Sequence, residues 1–160
     1  MLRPPLSLKG RALRLLSQRE HSRTELERKL AKHVQEGEQL ALILDDLAAK
    51  DFINESRVVD SVVNRRAGVM GAARIRQELH AKGLKGELVQ QALAGLKHSE
   101  LERAQEVWQR KFGEPPADAK ARARHMRFLM ARGFSGDVVS RVLRSAALGN
   151  HDQQPSGDAG

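Results

Sequence analysis

Residues 81–89 and 131–139 are two copies of one phrase. Ala81-Lys82-Gly83-Leu84-Lys85-Gly86-Glu87-Leu88-Val89 aligns without a gap to Ala131-Arg132-Gly133-Phe134-Ser135-Gly136-Asp137-Val138-Val139, at a constant offset of 50. Both glycines match, as do the acidic residue and nearly all the apolar positions. Leu79 then faces Leu129, and Leu93 faces Leu143. A weaker copy upstream, at an offset near 49, sets Leu26 and Leu30 against Ile75 and Leu79. Its loop, Val34 to Glu38, is longer and lacks the Lys-Gly stop. A period of this length marks a repeat architecture. One such unit buries little apolar surface alone, so neighbouring units must share a core.

Within each period the apolar spacing is helical and strand-like alternation is almost absent. Glycine and proline punctuate the chain, and the pattern predicts helices over 8–18, 23–34, 38–49, 54–66, 72–82, 87–96, 99–112, 118–132 and 136–147. Ser22 with Glu25 fits a capping box, in which the hydroxyl and the carboxylate each take one free backbone amide. Ser99 with Glu102 repeats the pattern. Gly83 and Gly133 fit C-terminal stops. Pro115-Pro116 cannot continue a helix. The expected fold is all-α, three tandem three-helix repeats of helix-turn-helix-like form: an N-terminal extension over 1–7, repeats over 8–53, 54–98 and 99–147, and a polar, disordered tail over 148–160.

Charge is the next constraint. The chain carries 28 Lys and Arg against 20 Asp and Glu, a net charge of +8, which points to an anionic partner. The excess is uneven. The stretch from Glu25 to Asp60 sums to −4, whereas Arg65–Gly86 and Arg110–Gly133 each sum to +5. The second and third repeats therefore carry the positive face. Its candidate contact residues are Arg65, Arg66, Arg74, Arg76 and Lys82 in one stretch and Arg124, Arg127 and Arg132 in the other. Arginine suits this role, since its planar fork holds a carboxylate or phosphate with two hydrogen bonds.

Catalytic and cofactor chemistry finds no foothold. The absence of cysteine excludes disulfides, thiolate metal sites and a cysteine nucleophile. The six histidines show no i, i+4 pair with a carboxylate partner, so no metal site is expected and at least four in five should be surface or capping groups. Asp45 and Asp46 are adjacent on a helix and point about 100° apart, so they do not share a ligand. No phosphate loop, dinucleotide fingerprint or nucleophile motif is present. Aromatics are 3% of the chain, with one tryptophan and no tyrosine. Trp108, Phe112, Phe128 and Phe134 read as core rather than as a base-stacking platform. No apolar run reaches the roughly 18 residues of a membrane span, nor does the start look like a signal peptide, so a cytoplasmic protein without membrane contact is expected.

Three ordered segments resemble the RecX family. The first holds Arg19, Ser22, Glu25, Leu26 and Leu30. The second holds Arg65-Arg66, Gly71, Ile75, Glu78, Leu79 and Lys82-Gly83. The third runs Arg127-Phe128-Leu129-Met130-Ala131-Arg132-Gly133-Phe134-Ser135. The resemblance spans about residues 8 to 147; one departure is His125, which occupies the slot aligned with Ile75. It implies a curved, elongated stack of helical repeats. It also implies a non-catalytic regulator, needing no cofactor or small-molecule substrate, that binds the RecA recombinase filament on single-stranded DNA. Such a protein limits filament growth and the recombinase and coprotease activities, in DNA repair, homologous recombination and the SOS response. A monomer is the simplest state, and the charge also admits single- or double-stranded DNA as a partner. The alternative is a free-standing helix-turn-helix-like DNA-binding regulator. Against it, the third helices of repeats two and three begin with Glu87 and Asp137, which would face phosphate.

Overall fold

A computed structural model describes residues 3–149. Among them lie nine α-helices, two short 3₁₀ turns and no strand. Repeat one contains α1 (Leu8–Gln18), α2 (Arg23–Leu30), which runs into a 3₁₀ turn at Ala31–His33, and α3 (Leu40–Ala49). Repeat two contains α4 (Glu55–Arg66), α5 (Ala72–Ala81) and α6 (Glu87–Leu96). A 3₁₀ turn at Lys97–Ser99 leads into repeat three, with α7 (Glu100–Lys111), α8 (Ala119–Ala131) and α9 (Gly136–Gly149). All nine expected helices are present. The tail expected from 148 begins later, since Leu148 and Gly149 close α9. The remainder of that tail, from Asn150, lies outside the described residues, as do Met1 and Leu2.

The helix starts follow their caps. Ser22 Oγ accepts from the Glu25 amide at 3.1 Å, and Glu25 Oε1 accepts from the Ser22 amide at 3.1 Å, the expected capping box. Asp118 caps α8 by accepting from the Ala121 amide at 2.7 Å. The second expected box does not form. Ser99 already has helical backbone angles, and its hydroxyl donates to the Leu96 carbonyl and accepts from Arg103 Nε instead. A residue turned into the helix cannot aim its oxygen at the amides ahead of it.

The chain separates into two compact units whose limits cut across the repeats. One comprises the chain up to Val63 together with Glu78–Ala92; the other comprises Asn64–Gln77 and everything from Leu93. In the first unit, Leu8, Ala12, Leu26, Leu30, Leu44, Leu47 and Ile53 form a core. In the second, α7, α8 and α9 close on Ala104, Val107, Trp108, Leu129, Phe134, Val139, Val142 and Leu143. The repeat-aligned positions Ile75, Leu79, Leu84, Leu93, Leu129, Phe134 and Leu143 are all buried.

Each unit holds one copy of the same junction. In the first, Ser22 Oγ donates to the Lys82 carbonyl at 2.6 Å and Arg28 donates to the Ala81 carbonyl at 2.7 Å. Gly83, at φ +77°, lies where a Cβ would overlap Thr24. In the second, the Gly71 amide donates to the Arg132 carbonyl at 2.8 Å. Gly133, at φ +90°, lies where a Cβ would overlap Arg74. Thr24 and Arg74, Gly83 and Gly133, Lys82 and Arg132 are all related by the same 50 residues that relate the sequence copies. The sequence period therefore records how the end of one repeat's second helix seats on the start of the preceding repeat's second helix.

Candidate functional site

The basic residues singled out by charge are gathered unevenly. Arg65 and Arg66 end α4, Arg74 and Arg76 lie on α5, Arg124 and Arg127 on α8, and Arg132 caps α8. These seven belong to the second compact unit, whereas Lys82 belongs to the first. Arg74, Arg76, Arg124 and Arg127 are exposed. None of those four has an ion-pair partner among the described residues. Arg65 is exposed and Arg66 half-buried, and neither is a free charge.

Arg132 lies beside a shallow hollow of about 220 Å³ lined by Val69, Val107, Arg110, Lys111 and Phe128. The Arg132 guanidinium and the Lys111 ammonium stand 5.0 and 5.3 Å from the centre of the Phe128 ring, within cation–π range. Arg110 donates to the Gly68 carbonyl at 2.8 Å. Arg110 and Lys111 contributed to the charge sum without being singled out. Their place in the last turn of α7 is the signal that could have joined them to Arg132.

Lys82 is differently placed. Its ammonium lies 3.2 Å from Glu25 with 13% of the side chain exposed. Glu25 also accepts from Arg19 at 2.6 Å. Burial alone would raise the Glu25 carboxyl. The hydrogen bonds from Arg19 and the Ser22 amide, with the Lys82 charge, outweigh it and hold the group at about 2.

Several of the acids behind the −4 sum of Glu25–Asp60 are paired. Asp45 meets Arg23 at 2.6 Å, Asp46 meets Lys50 at 3.1 Å and Lys9 at 3.4 Å, and Asp51 meets Arg57 at 2.8 Å. Asp45 and Asp46 thus use separate partners, as their angular separation requires.

The histidines depart from expectation. His21 and His125 are 1% and 4% exposed, so two of the five described are buried rather than superficial; His151 lies outside the described residues. His125 fills the slot that Ile75 fills one repeat earlier. It stacks on Phe112, with 3.7 Å between ring centres, and its Nδ1 accepts from Trp108 Nε1 at 3.1 Å. Sequence spacing did not reveal this, because a lone histidine at a core position has no partner in its own helix. Trp108 and Phe134 are buried, and Phe112 and Phe128 pack against the same core. Among the described residues, no three His, Cys, Asp or Glu side chains converge as a metal site, and no helix is long and apolar enough to cross a membrane.

Comparison with known proteins is consistent along most of the chain. Models of the first, second and third three-helix domains of RecX match residues 9–38, 54–93 and 98–143. The regulatory protein RecX of Leptothrix cholodnii is 58% identical over 144 residues, covering 90% of this chain and 92% of that protein. The Ralstonia nicotianae protein of the same name is 48% identical, at 90% and 91% coverage. That of Pseudomonas syringae pv. tomato is 43% identical, at 89% and 94%. Two crystal structures share the fold, each at 22% identity. One, of a regulatory protein RecX, has a TM-score of 0.70 and covers 84% of this chain and 70% of its own. The other, of RecX from Lactobacillus salivarius, has a TM-score of 0.67 and covers 88% and 95%.

Proposed function

Because the chain belongs to the RecX family, we propose that it is a non-catalytic cytoplasmic regulator that binds the RecA filament on single-stranded DNA and restrains its growth and its recombinase and coprotease activities. The observation that carries this reading is the set of exposed arginines Arg74, Arg76, Arg124 and Arg127. They belong to one compact unit and lack carboxylate partners among the described residues. Exposed cations left unneutralised are available to phosphates and acidic side chains, and attraction of this kind speeds encounter and fixes orientation. Arg65, Arg66 and Arg132 extend the surface. Lys82, tied to Glu25, supports it through the fold.

Two observations speak for the filament rather than a free-standing reader of base sequence. The first turns of α6 and α9 carry Glu87 and Asp137, and carboxylates at a recognition-helix start oppose the DNA backbone. Trp108, Phe112, Phe128 and Phe134 pack in or against the core, which leaves the exposed Phe52 too few partners to form a stacking platform.

The test is RecA's single-stranded-DNA-dependent ATPase, titrated with wild-type protein and with Arg74→Glu/Arg127→Glu. Both proteins should share one helical spectrum and melting curve. The variant should need about tenfold more protein for equal inhibition, and raising salt should narrow the gap as the Debye length shrinks from about 10 Å at 0.1 M to about 3 Å at 1 M. A folded variant that inhibits at wild-type concentration rejects this surface. Wild-type protein that leaves RecA unaffected rejects the function.

A further inference from the structure

The first repeat, the least positively charged of the three, contains a cationic groove. It runs between α1 and the end of α2, encloses about 570 Å³, and is lined by Arg11 and Arg14 on one wall and Arg28, Lys29 and Lys32 on the other. No carboxylate lines it. None of the five cations forms an ion pair with a described residue. Arg28 donates to the Ala81 carbonyl and Lys29 bonds His21 Nε2, so both are oriented by groups that leave their charge uncancelled. The accumulation is felt nearby: desolvation, then the charges of Arg11 and Lys32, push the His33 imidazole down. The acids of this repeat are spent elsewhere, on Arg23, Lys50 and Arg57. A second hollow of about 300 Å³ continues the groove past Leu6, and there a single carboxylate, Glu38, appears.

Between the cationic walls the lining holds Leu6, Leu15 and the buried Leu30, with Gln18 and His33 beside them. Leu6 is 46% exposed although large and hydrophobic. This combination discriminates between anions. A nucleic-acid strand gains from aromatic platforms, and the groove has none. An amphipathic helix gains from both parts, laying its apolar side chains on leucine while carboxylates on either flank meet the walls. We propose that this groove is a docking site for an acidic amphipathic helical segment of a partner protein. Its residues belong to the first compact unit and the arginines proposed to meet the filament to the second, and its test contains no recombinase, so either proposal can fail alone.

The probe is a fluorescein-labelled peptide of about 15 residues, with leucines at helical spacing and glutamates between, read by fluorescence anisotropy on the full chain. A glutamate peptide of equal charge without leucine and a single-stranded oligothymidylate are the comparison ligands. The variants are Arg11→Glu/Arg14→Glu, Lys32→Glu and Leu6→Asp, each confirmed folded by its melting curve. The leucine-containing peptide should bind more tightly than the other two ligands. Each charge reversal should weaken it about tenfold or more, and Leu6→Asp should erase its advantage over the leucine-free peptide. The proposal is overturned if wild-type protein ignores the peptide, or if the folded variants bind it unchanged. It is equally overturned if the reversals abolish oligothymidylate binding while sparing the peptide, which makes the groove a nucleic-acid channel. Concentration-dependent dimerisation that the reversals abolish, without peptide binding, makes the occupant a second copy of this chain.

Discussion

Gly133 stands so close to Arg74 that a side-chain carbon at position 133 would overlap the Cβ and amide nitrogen of Arg74. Its φ of +90° is also one that other residues adopt at a cost. Gly86 has the same φ with open space around it, which separates the two effects. Gly86→Ala should cost roughly 1–2 kcal/mol from the backbone alone. Gly133→Ala should cost clearly more, because α5 must move away. A thermal melt ranks them, at roughly 2–4 °C per kcal/mol for a chain of this size. Equal melting points would show that the start of α5 gives way freely.

Arg103 should prove one of the costliest polar side chains to remove. It is 9% exposed and donates to the Ala67 and Met70 carbonyls at 2.8 and 2.7 Å, to the Leu96 carbonyl at 3.2 Å and to Ser99 Oγ at 3.0 Å. These carbonyls follow α4 and end α6, where backbone oxygens lack helical partners and attract a cation. Arg103→Met keeps the volume and strands the carbonyls, a loss of about 3 kcal/mol in urea unfolding. Arg103→Lys should recover only part, since one ammonium cannot span the fork's four acceptors. Full recovery by lysine would reduce the role to charge alone.

Glu25 should govern the acid limb of stability. Its carboxyl is held at about 2 in the folded protein against 4.5 ordinarily. A depressed folded value means that the unfolded chain takes up the proton first. The stabilisation is therefore complete above about pH 4.5 and lost as pH falls toward 2, up to about 3 kcal/mol. Glu25→Gln should lower stability at neutral pH, leaving Lys82 buried without its anion, and should flatten the melting profile between pH 4.5 and 2. An unchanged acid limb would place the titration elsewhere.

His125 should act on Trp108 as a local titration reporter. Burial, then the neighbouring Arg124, lowers its affinity for a proton below the ordinary 6.5. Nδ1 accepts the indole N–H, so the neutral ring carries its hydrogen on Nε2. Protonation would set two N–H groups against each other. The sign follows: the unfolded chain binds the proton first as pH drops below 6.5, so stability falls from there through the lower folded value. Trp108 is the only tryptophan, and its emission should titrate with a midpoint below 6.5. His125→Ile, the residue type at the aligned position 75, should abolish that transition. Persistence of the transition in the variant would show that a group other than His125 carries it.

How much of this was legible beforehand depends on the range of the interaction. Helix positions, the Ser22 cap, the glycine stops and the buried leucines follow from contacts within a few residues or from periodicity, and a linear chain displays both. The 50-residue repeat even carried long-range information, because two copies of one junction must preserve the same glycine and the same apolar slots. Arg103 was not legible: its acceptors lie 33 and 36 residues away in sequence at Met70 and Ala67, and no second copy exists to align. Nor was the groove beside α1. The stretch that summed as acidic, Glu25–Asp60, begins after Arg11 and Arg14, so one wall of the groove never entered the sum, and a sum along the chain also adds residues that face opposite ways. Folding sorted them by face, pairing Asp45, Asp46 and Asp51 with cations and leaving Arg11, Arg14 and Lys32 without a counter-charge among the described residues. The sequence by itself determined which segments are helical and which repeat-aligned apolar side chains are core, since those depend on local spacing. Only the tertiary structure decided which charges cancel and which stay open to a partner, because that depends on distances between helices that no one-dimensional pattern contains.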